Sequence, residues 1–229
     1  METLRYSLDS EGIAHLRLDD GKVNAMDLPW FEALNGLLDR AERDRPQALL
    51  ISGRPGFFSA GLNLKVIPTL EGDDRRRFLD AFGGTMLRVW TLPIPTVAAC
   101  TGHAIAGGAL LAFACDRRYA LDGAYRIQMN ETRNAMALPS WALAICRSAL
   151  PPLHWTEALL HARAYSPAES VELGFFHGLL AGESDEIAPA LAAAESFRGI
   201  HIPSYLRTKQ RLRTPEADAV RALFETEHA

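Results

Sequence analysis

The feature that most constrains the fold of this chain is a repeated pattern, in which an apolar strand is followed by a glycine-containing turn. The pattern occurs twice. Residues 48–52 and 96–100 are short runs of apolar and small side chains, which is typical of strands buried on both faces. The first run leads into Ser59-Ala60-Gly61-Leu62 and the second into Ala106-Gly107-Gly108. We therefore expect two strand, turn and helix units, and an α/β fold in which helices cover a sheet.

Helical spacing of apolar side chains separates these strands. Residues 27–43 carry such a pattern, with Asp27 in the position of a helix cap and Pro46 after the last turn. A second helix is predicted over about residues 73–91, and the pattern is mostly helical from Leu138 onward. The alternation of strands and helices supports the α/β assignment.

The length of 229 residues suits one substantial core. We predict a single domain over residues 1–229, with an α/β core over about residues 1–185 and C-terminal helices over about residues 186–229. These helices are amphipathic from Pro203 onward. The pattern alone allows them to dock either on the same core or on a neighbouring chain.

Composition argues against several classes of function. The formal net charge of -4 and the pI near 6.0 give no electrostatic reason to expect nucleic acid, and no run of Lys and Arg suggests a membrane surface. Cys100, Cys115 and Cys146 are widely spaced among apolar residues, as reduced core thiols usually are. The sequence shows no signal or transit peptide and no apolar run long enough to span a bilayer, so the expected compartment is the cytoplasm. No metal site or redox cofactor is expected.

The two glycine turns are also candidate binding elements. Turns at the carboxyl ends of strands can leave backbone N–H groups free, and two such groups that converge can bind an oxygen that gains negative charge. Taken singly, each glycine is more typical of a tight turn or of close helix packing. A phosphate loop is disfavoured because Leu62 and Asn63 stand where Lys and Ser/Thr are required. A nucleophile elbow at Ser59 is disfavoured because Phe57 replaces the required glycine.

Two segments and their order are similar to the paired signature of the crotonase (enoyl-CoA hydratase/isomerase) superfamily. The first is Phe58-Ser59-Ala60-Gly61-Leu62-Asn63-Leu64-Lys65, and the second begins at Thr101-Gly102-His103-Ala104-Ile105-Ala106-Gly107-Gly108 and continues to Ala114-Cys115-Asp116. The resemblance extends from about Gly12 to Lys209. It implies the ClpP/crotonase-like spiral of strand, strand and helix units with a C-terminal helical region. It also implies an acyl-CoA substrate and a homotrimer or a dimer of trimers.

The resemblance implies roles for particular residues. The backbone N–H groups of Leu62 and Gly107 would bind the thioester oxygen of an acyl-CoA and stabilise an enolate. No cofactor is implied beyond the coenzyme A that forms part of the substrate. The residues implied to contact the substrate are Ser59, Ala60, Gly61, Asn63 and Asn130, with Lys22 and Lys65 as further candidates.

The number of carboxylates separates the possible reactions. Hydratases of the superfamily carry two glutamates, and here Leu110 occupies the first position while Glu131 occupies the second. The segment Asn130-Glu131-Thr132 resembles that of the mitochondrial-type enoyl-CoA isomerases. A single base between two carbons can remove a proton from C2 and return it to C4. The resemblance therefore implies an isomerase in which Glu131 shuttles the proton.

Alternatives for the same residues stay open. An apolar pocket would raise the pKa of Glu131 and suit the shuttle role, whereas the nearby cation Arg133 is expected to lower that pKa. Another crotonase activity, such as enoyl-CoA hydration or thioester cleavage, would use Glu131 with a water. A catalytically silent acyl-CoA-binding protein would keep the fold without turnover.

Overall fold

The computed structural model describes residues 3–180 and 187–227, in which short strands alternate with helices. The strands are β1 Leu4–Leu8, β2 Ile13–Leu18, β3 Ala25–Met26, β4 Ala48–Ser52, β5 Gly56–Ser59, β6 Gly61–Leu62, β7 Thr96–Cys100, β8 Gly102–Ile105, β9 Arg117–Leu121, β10 Ile127–Gln128 and β11 Gly178–Leu180. The helices are α1 Leu28–Asp44, α2 Gly72–Thr91, α3 Gly107–Ala114, α4 Ser140–Ala149, α5 Pro167–Glu172, α6 Ala188–Glu195, α7 Ile202–Arg221 and α8 Phe224–Glu227.

Six strands form the main sheet, in the order β1-β2-β4-β7-β9-β11. Every pairing in it is parallel except that of β1 with β2. Two smaller sheets, β10-β8-β5 and β3-β6, extend beyond the carboxyl ends of β4 and β7. The predicted α/β fold of strand, strand and helix units is confirmed.

Side chains of the central strands face two separate cores. In β4, Leu49 and Ile51 pack with α1, α2, α3 and α4, whereas Ala48 and Leu50 face α6. This alternation follows from the two-residue period of a strand. Because both faces of β4 and β7 are covered, every residue of these strands is buried, which explains their apolar sequence.

Helix α7 docks on the core of its own chain. Lys209 Nζ lies 2.8 Å from one carboxylate oxygen of Asp116, and an Arg213 nitrogen lies 2.6 Å from the other. Burial alone would raise the pKa of Asp116, but the two cations hold it below its usual value. A buried ion pair of this kind fixes orientation more than it adds stability. The amphipathic pattern allowed docking on the same core or on a neighbouring chain, and the structure shows α7 on its own core.

The element bounds differ from the predicted ones mainly at the ends. Helix α1 begins after Asp27, whose side chain accepts a hydrogen bond from the Trp30 N–H as a cap does. The sequence of residues 125–129 also predicts a short strand, and the observed one is shorter still, because only Ile127–Gln128 pair with β8. The predicted boundary near residue 185 lies outside the described residues. Within the described ranges, no helix combines the length and the apolar composition needed to cross a bilayer.

Candidate active site

The first glycine turn connects β5 to β6 and is held by side-chain hydrogen bonds. The Ser59 hydroxyl donates to the Asn24 carbonyl at 2.7 Å and accepts from the Gly61 N–H at 3.0 Å. Gly61 has φ +85°, a left-handed conformation that glycine adopts without steric cost. Ser59 is completely buried, so its side chain stabilises the turn and does not reach the cavity described below.

The side chain of Asn24 also stabilises the first glycine turn through hydrogen bonds. Its side-chain amide donates to the carbonyls of Leu18 and Phe58, each at 3.0 Å, and accepts from the Asp20 N–H at 2.9 Å. Asn24 is fully buried and has φ +52°, which asparagine tolerates better than most residues. This role of Asn24 is not predicted by the sequence pattern. Its place between a strand and a helix cap was the available signal, but its contact with Phe58, 34 residues further along the chain, depends on the tertiary fold.

The second glycine turn connects β8 to α3. Ala106 has φ 51° and ψ -120°, an uncommon conformation for a residue with a side chain, and its N–H donates to the Gln128 carbonyl at 2.7 Å. Gly107 is the first residue of α3, where N–H groups have no acceptor inside the helix. The Gly107 N–H is therefore available to a ligand.

The two turns lie against each other. A methyl group placed on Gly61 would be 3.0 Å from the Gly107 nitrogen and 2.7 Å from the Ile105 carbonyl oxygen. The Asn63 N–H donates to the Met26 carbonyl of β3 at 2.8 Å, and successive N–H groups of a strand point to opposite sides. The Leu62 N–H accordingly points away from β3. The N–H groups of Leu62 and Gly107 stay the predicted donors of an oxyanion hole.

A cavity of about 310 Å³ opens beside these turns. Its volume is within the usual range for small-molecule sites, and its walls are predominantly apolar. The lining residues nearest the turns are Ala60, Leu62 and Ala106. The walls come from α2, α3, α4 and the segments that join β6 to α2 and β10 to α4. The apolar residues of these walls include Ile67, Leu70, Phe78, Leu79, Phe82, Leu110, Met136, Leu138 and Trp141.

Glu131 is one of two carboxylates in this mostly apolar lining, and the other, Glu227, accepts two hydrogen bonds from Ser140. Burial raises the pKa of Glu131 to about 7, although a hydrogen bond from its own backbone acts in the opposite direction. Its Oε2 atom is buried and has no hydrogen-bond partner among the described residues, and the same is true of the Asn130 Oδ1 atom. Leu110, which also lines the cavity, is 1% exposed and supplies no second acid. A group that titrates near neutrality can act both as base and as acid.

Arg133 does not contact Glu131. Its side chain is exposed and its Nε atom donates toward the His161 carbonyl at 3.4 Å, outside the cavity lining. The expectation that Arg133 lowers the pKa of Glu131 is therefore wrong. The 3₁₀ turn Glu131–Asn134 separates the two side chains, since residues two apart do not face each other on a helical turn.

Replacement of Arg133 by Gln is therefore expected to leave the pKa of Glu131 nearly unchanged, because exposed charges are screened by water and salt. The measurement is a pH titration of the Glu131 carboxyl followed by ¹³C NMR. A rise of one unit or more in the variant would show that Arg133 faces the carboxylate.

The other residues predicted to contact the substrate lie either at the cavity and the glycine turns or on the exposed surface. Ala60 and Asn130 line the cavity, and Gly61 lies where the first turn contacts the second. The Asn63 side-chain oxygen accepts from the Lys65 N–H at 3.2 Å at the exposed end of the first turn. Lys65, like Lys22, is exposed. The substrate contacts assigned to these residues stay predictions. The described residues contain no group of three or more His, Cys, Asp or Glu side chains that could hold a metal ion.

Comparison with known proteins gives a family match. The family model described as enoyl-CoA hydratase/isomerase matches residues 9–197. Human mitochondrial enoyl-CoA delta isomerase 1 is 27% identical over 209 residues, which cover 90% of this chain and 69% of the relative.

Solved structures with the same fold carry both activity names. A Mycobacterium tuberculosis enoyl-CoA isomerase has a TM-score of 0.89 and 33% identity, over 98% of this chain and 96% of that chain. An enoyl-CoA hydratase from Mycobacterium ulcerans has a TM-score of 0.91 and 33% identity, over 99% of this chain and 100% of that chain. The particular reaction must therefore be argued from the site.

Proposed function

This chain belongs to the enoyl-CoA hydratase/isomerase family, the crotonases, and we propose that within this enzyme family it is an enoyl-CoA isomerase. It would move a β,γ double bond of an acyl-CoA to the α,β position. The observation that carries the proposal is the unpartnered Oε2 atom of Glu131 in the cavity lining, since the other lining carboxylate, Glu227, accepts two hydrogen bonds from Ser140. In addition, Leu110 stands where hydratases of the superfamily carry a further glutamate. Addition of water is helped by two carboxylates, whereas transfer of one proton between two carbons needs only one.

The first step is proton removal from C2 of a 3-enoyl-CoA. The ionised Glu131 carboxylate takes the proton, and the electron pair of the broken C–H bond passes into the thioester to form a dienolate. The N–H groups of Leu62 and Gly107 donate to the thioester oxygen as its negative charge grows. Donors that are fixed before the reaction begins stabilise such a charge without reorganisation.

The second step returns the same proton to C4. As the C4–H bond forms, the double bond settles between C2 and C3, and Glu131 is ionised again. No water is consumed. The unpartnered Glu131 Oε2 atom suits this sequence, because a carboxylate held by strong donors would be too weak a base for C2 and too firmly oriented to reach C4.

The proposal predicts a pH dependence for isomerisation. The reaction starts from ionised Glu131, whose pKa is raised to about 7 by burial. The value of kcat/KM in the free enzyme should therefore increase about tenfold per pH unit below that pKa and level off above it. Initial rates between pH 5 and 9 would measure this, and a rate that stayed constant through pH 7 would argue against Glu131 as the base.

The direct test is to incubate the purified protein with hex-3-enoyl-CoA and follow formation of the conjugated 2-enoyl thioester. In parallel, hydration of hex-2-enoyl-CoA is followed by loss of that conjugation. Isomerisation with slow hydration supports the proposal. Rapid hydration would instead assign the site to a hydratase that uses Glu131 with a water, and tight binding without either reaction would indicate a silent acyl-CoA-binding protein.

The proposed assembly rests on the resemblance, and the proposed compartment rests on the free, buried cysteines, which suit a reducing environment. We propose a homotrimer or a dimer of trimers in the cytoplasm, acting on acyl-CoA without a metal or redox cofactor. Light scattering of the purified protein tests the assembly, and a monomeric mass would contradict it.

A further inference from the structure

The last described helix, α8, lies beside the two helices that form the cavity walls. A methyl group placed on Gly83 of α2 would be 2.7 Å from the Cζ atom of Phe224, the first residue of α8. Two turns earlier on α2, an Arg76 nitrogen lies 3.9 Å from a Glu225 carboxylate oxygen. Phe224 also packs against the main core. Helix α8 is therefore fixed along α2.

Glu227 connects the other end of α8 to α4. Its carboxylate accepts hydrogen bonds from the Ser140 N–H at 2.8 Å and from the Ser140 hydroxyl at 2.5 Å. Ser140 is the first residue of α4, where an N–H has no acceptor inside the helix and where negative charge is favourable. Glu227 lines the cavity as well, so this contact forms part of the cavity wall.

The cavity extends along α2 away from the glycine turns. A methyl group placed on Gly107 would be 3.4 Å from the Phe82 ring, which places Phe82 at the end where the thioester would react. Arg75 lines the cavity seven residues earlier on α2, which is about 10 Å further along the helix. Arg75 and Glu227 are oppositely charged members of the lining.

We propose that α8 closes the acyl cavity between α2 and α4, and that the contact of Glu227 with Ser140 keeps it closed and restricts the substrate to short- and medium-chain acyl-CoA. The inference rests on the proposed function, in that an acyl-CoA occupies this cavity. A long straight chain would have to displace α8, break both hydrogen bonds of Glu227 and place methylene groups beside charged side chains. A short chain ends before it reaches Arg75, which lies about 10 Å from Phe82 along α2.

The test compares the binding of two saturated thioesters, hexanoyl-CoA and palmitoyl-CoA, by isothermal titration calorimetry. Glu227→Ala removes both contacts with Ser140, and Phe224→Ala weakens the attachment to α2. The matched control is Glu225→Ala in the same helix, because the Glu225 side chain is 88% exposed and lies only at the edge of ion-pair range. We expect both test variants to strengthen palmitoyl-CoA binding relative to hexanoyl-CoA about tenfold, and the control to keep the ratio of the unmodified protein.

An unchanged ratio of the two Kd values in both test variants would overturn the proposal, as would an equal change in the Glu225→Ala control. Since saturated thioesters are not isomerised, this result is independent of turnover. If the ratio responds but hex-3-enoyl-CoA is not converted, the closing role of α8 stands and the isomerase proposal fails. If hex-3-enoyl-CoA is converted but the ratio of the two Kd values does not change, the isomerase proposal stands and the closing role of α8 fails. Thermal unfolding of each variant confirms that it is folded.

Discussion

Replacement of Glu131 by Gln is expected to lower kcat for isomerisation of a 3-enoyl-CoA by about 10²–10⁴-fold, the usual contribution of a general acid and base. Gln has nearly the same shape and still fills the cavity wall, but it cannot accept a proton from C2. Substrate affinity should change little, because the carboxylate acts on the reacting carbons. Initial rates with hex-3-enoyl-CoA measure kcat and KM separately.

The same substitution is expected to stabilise the fold at neutral pH. The pKa of Glu131 is about 7 in the folded protein against 4.5 for an ordinary glutamate, so between these values the folded state binds more protons than the unfolded state. Below pH 4.5 this group therefore costs the folded state no free energy. The cost grows as the pH rises above 4.5 and reaches its full size above pH 7, where Glu131 is ionised in both states. The full cost above pH 7 is about 3 kcal/mol at most, at about 1.4 kcal/mol per pKa unit.

The neutral amide of the Glu131→Gln variant is free of that cost. The free energy of unfolding of the variant should therefore exceed that of the unmodified protein by up to about 3 kcal/mol at pH 8, less what the buried amide loses if it finds no partner. At pH 4 the two proteins should differ little, and urea unfolding at both pH values measures the difference. Full activity in the variant, or a stability gain no larger at pH 8 than at pH 4, would sink the assignment of Glu131 as a buried proton shuttle.

Replacement of Gly61 by Ala is expected to lower kcat by about 10²–10³-fold, the effect of losing one oxyanion donor. The new methyl group would lie 2.7 Å from the Ile105 carbonyl oxygen and 3.0 Å from the Gly107 nitrogen, so the two glycine turns would have to separate. The N–H groups of Leu62 and Gly107 must converge on one oxygen. If the turns move apart by a few tenths of an ångström, the hydrogen bonds from both groups to that oxygen are weakened. A dienolate analogue should lose affinity in proportion to kcat.

Gly56→Ala is the matched control for this experiment. Gly56 has φ +87° and Gly61 has φ +85°, so both substitutions place alanine in the left-handed region at a similar strain. A methyl group on Gly56, however, meets no atom within 4 Å. Both variants should lose stability, by about 1–2 kcal/mol for the control, but only Gly61→Ala should lose activity. Equal activity in the two variants would show that the approach of the turns is not needed.

Much of the fold could be predicted from local pattern. The strands Ala48–Ser52 and Thr96–Cys100 have the bounds that their apolar runs indicate, and Asp27 caps α1 as its position suggests. Strand and helix periods are set by nearest neighbours along the chain, so they are readable without tertiary structure. The shortened strand Ile127–Gln128 was less predictable, because its length depends on where β8 offers a partner.

The sequence by itself also determined which groups are present for chemistry. It contains two glycine turns in the right order, a glutamate at position 131 after them, and leucine at position 110. These facts favour a reaction that needs backbone donors and a single acid or base.

Only the tertiary structure decided how those groups behave. The pKa of Glu131 depends on walls contributed by α2 and α4, and the direction of Arg133 depends on the 3₁₀ turn that carries it. Likewise, α7 docks on its own core through Asp116, which lies far from it in the chain. Burial, charge separation and the meeting of distant segments are properties of three-dimensional packing, and no local pattern encodes them.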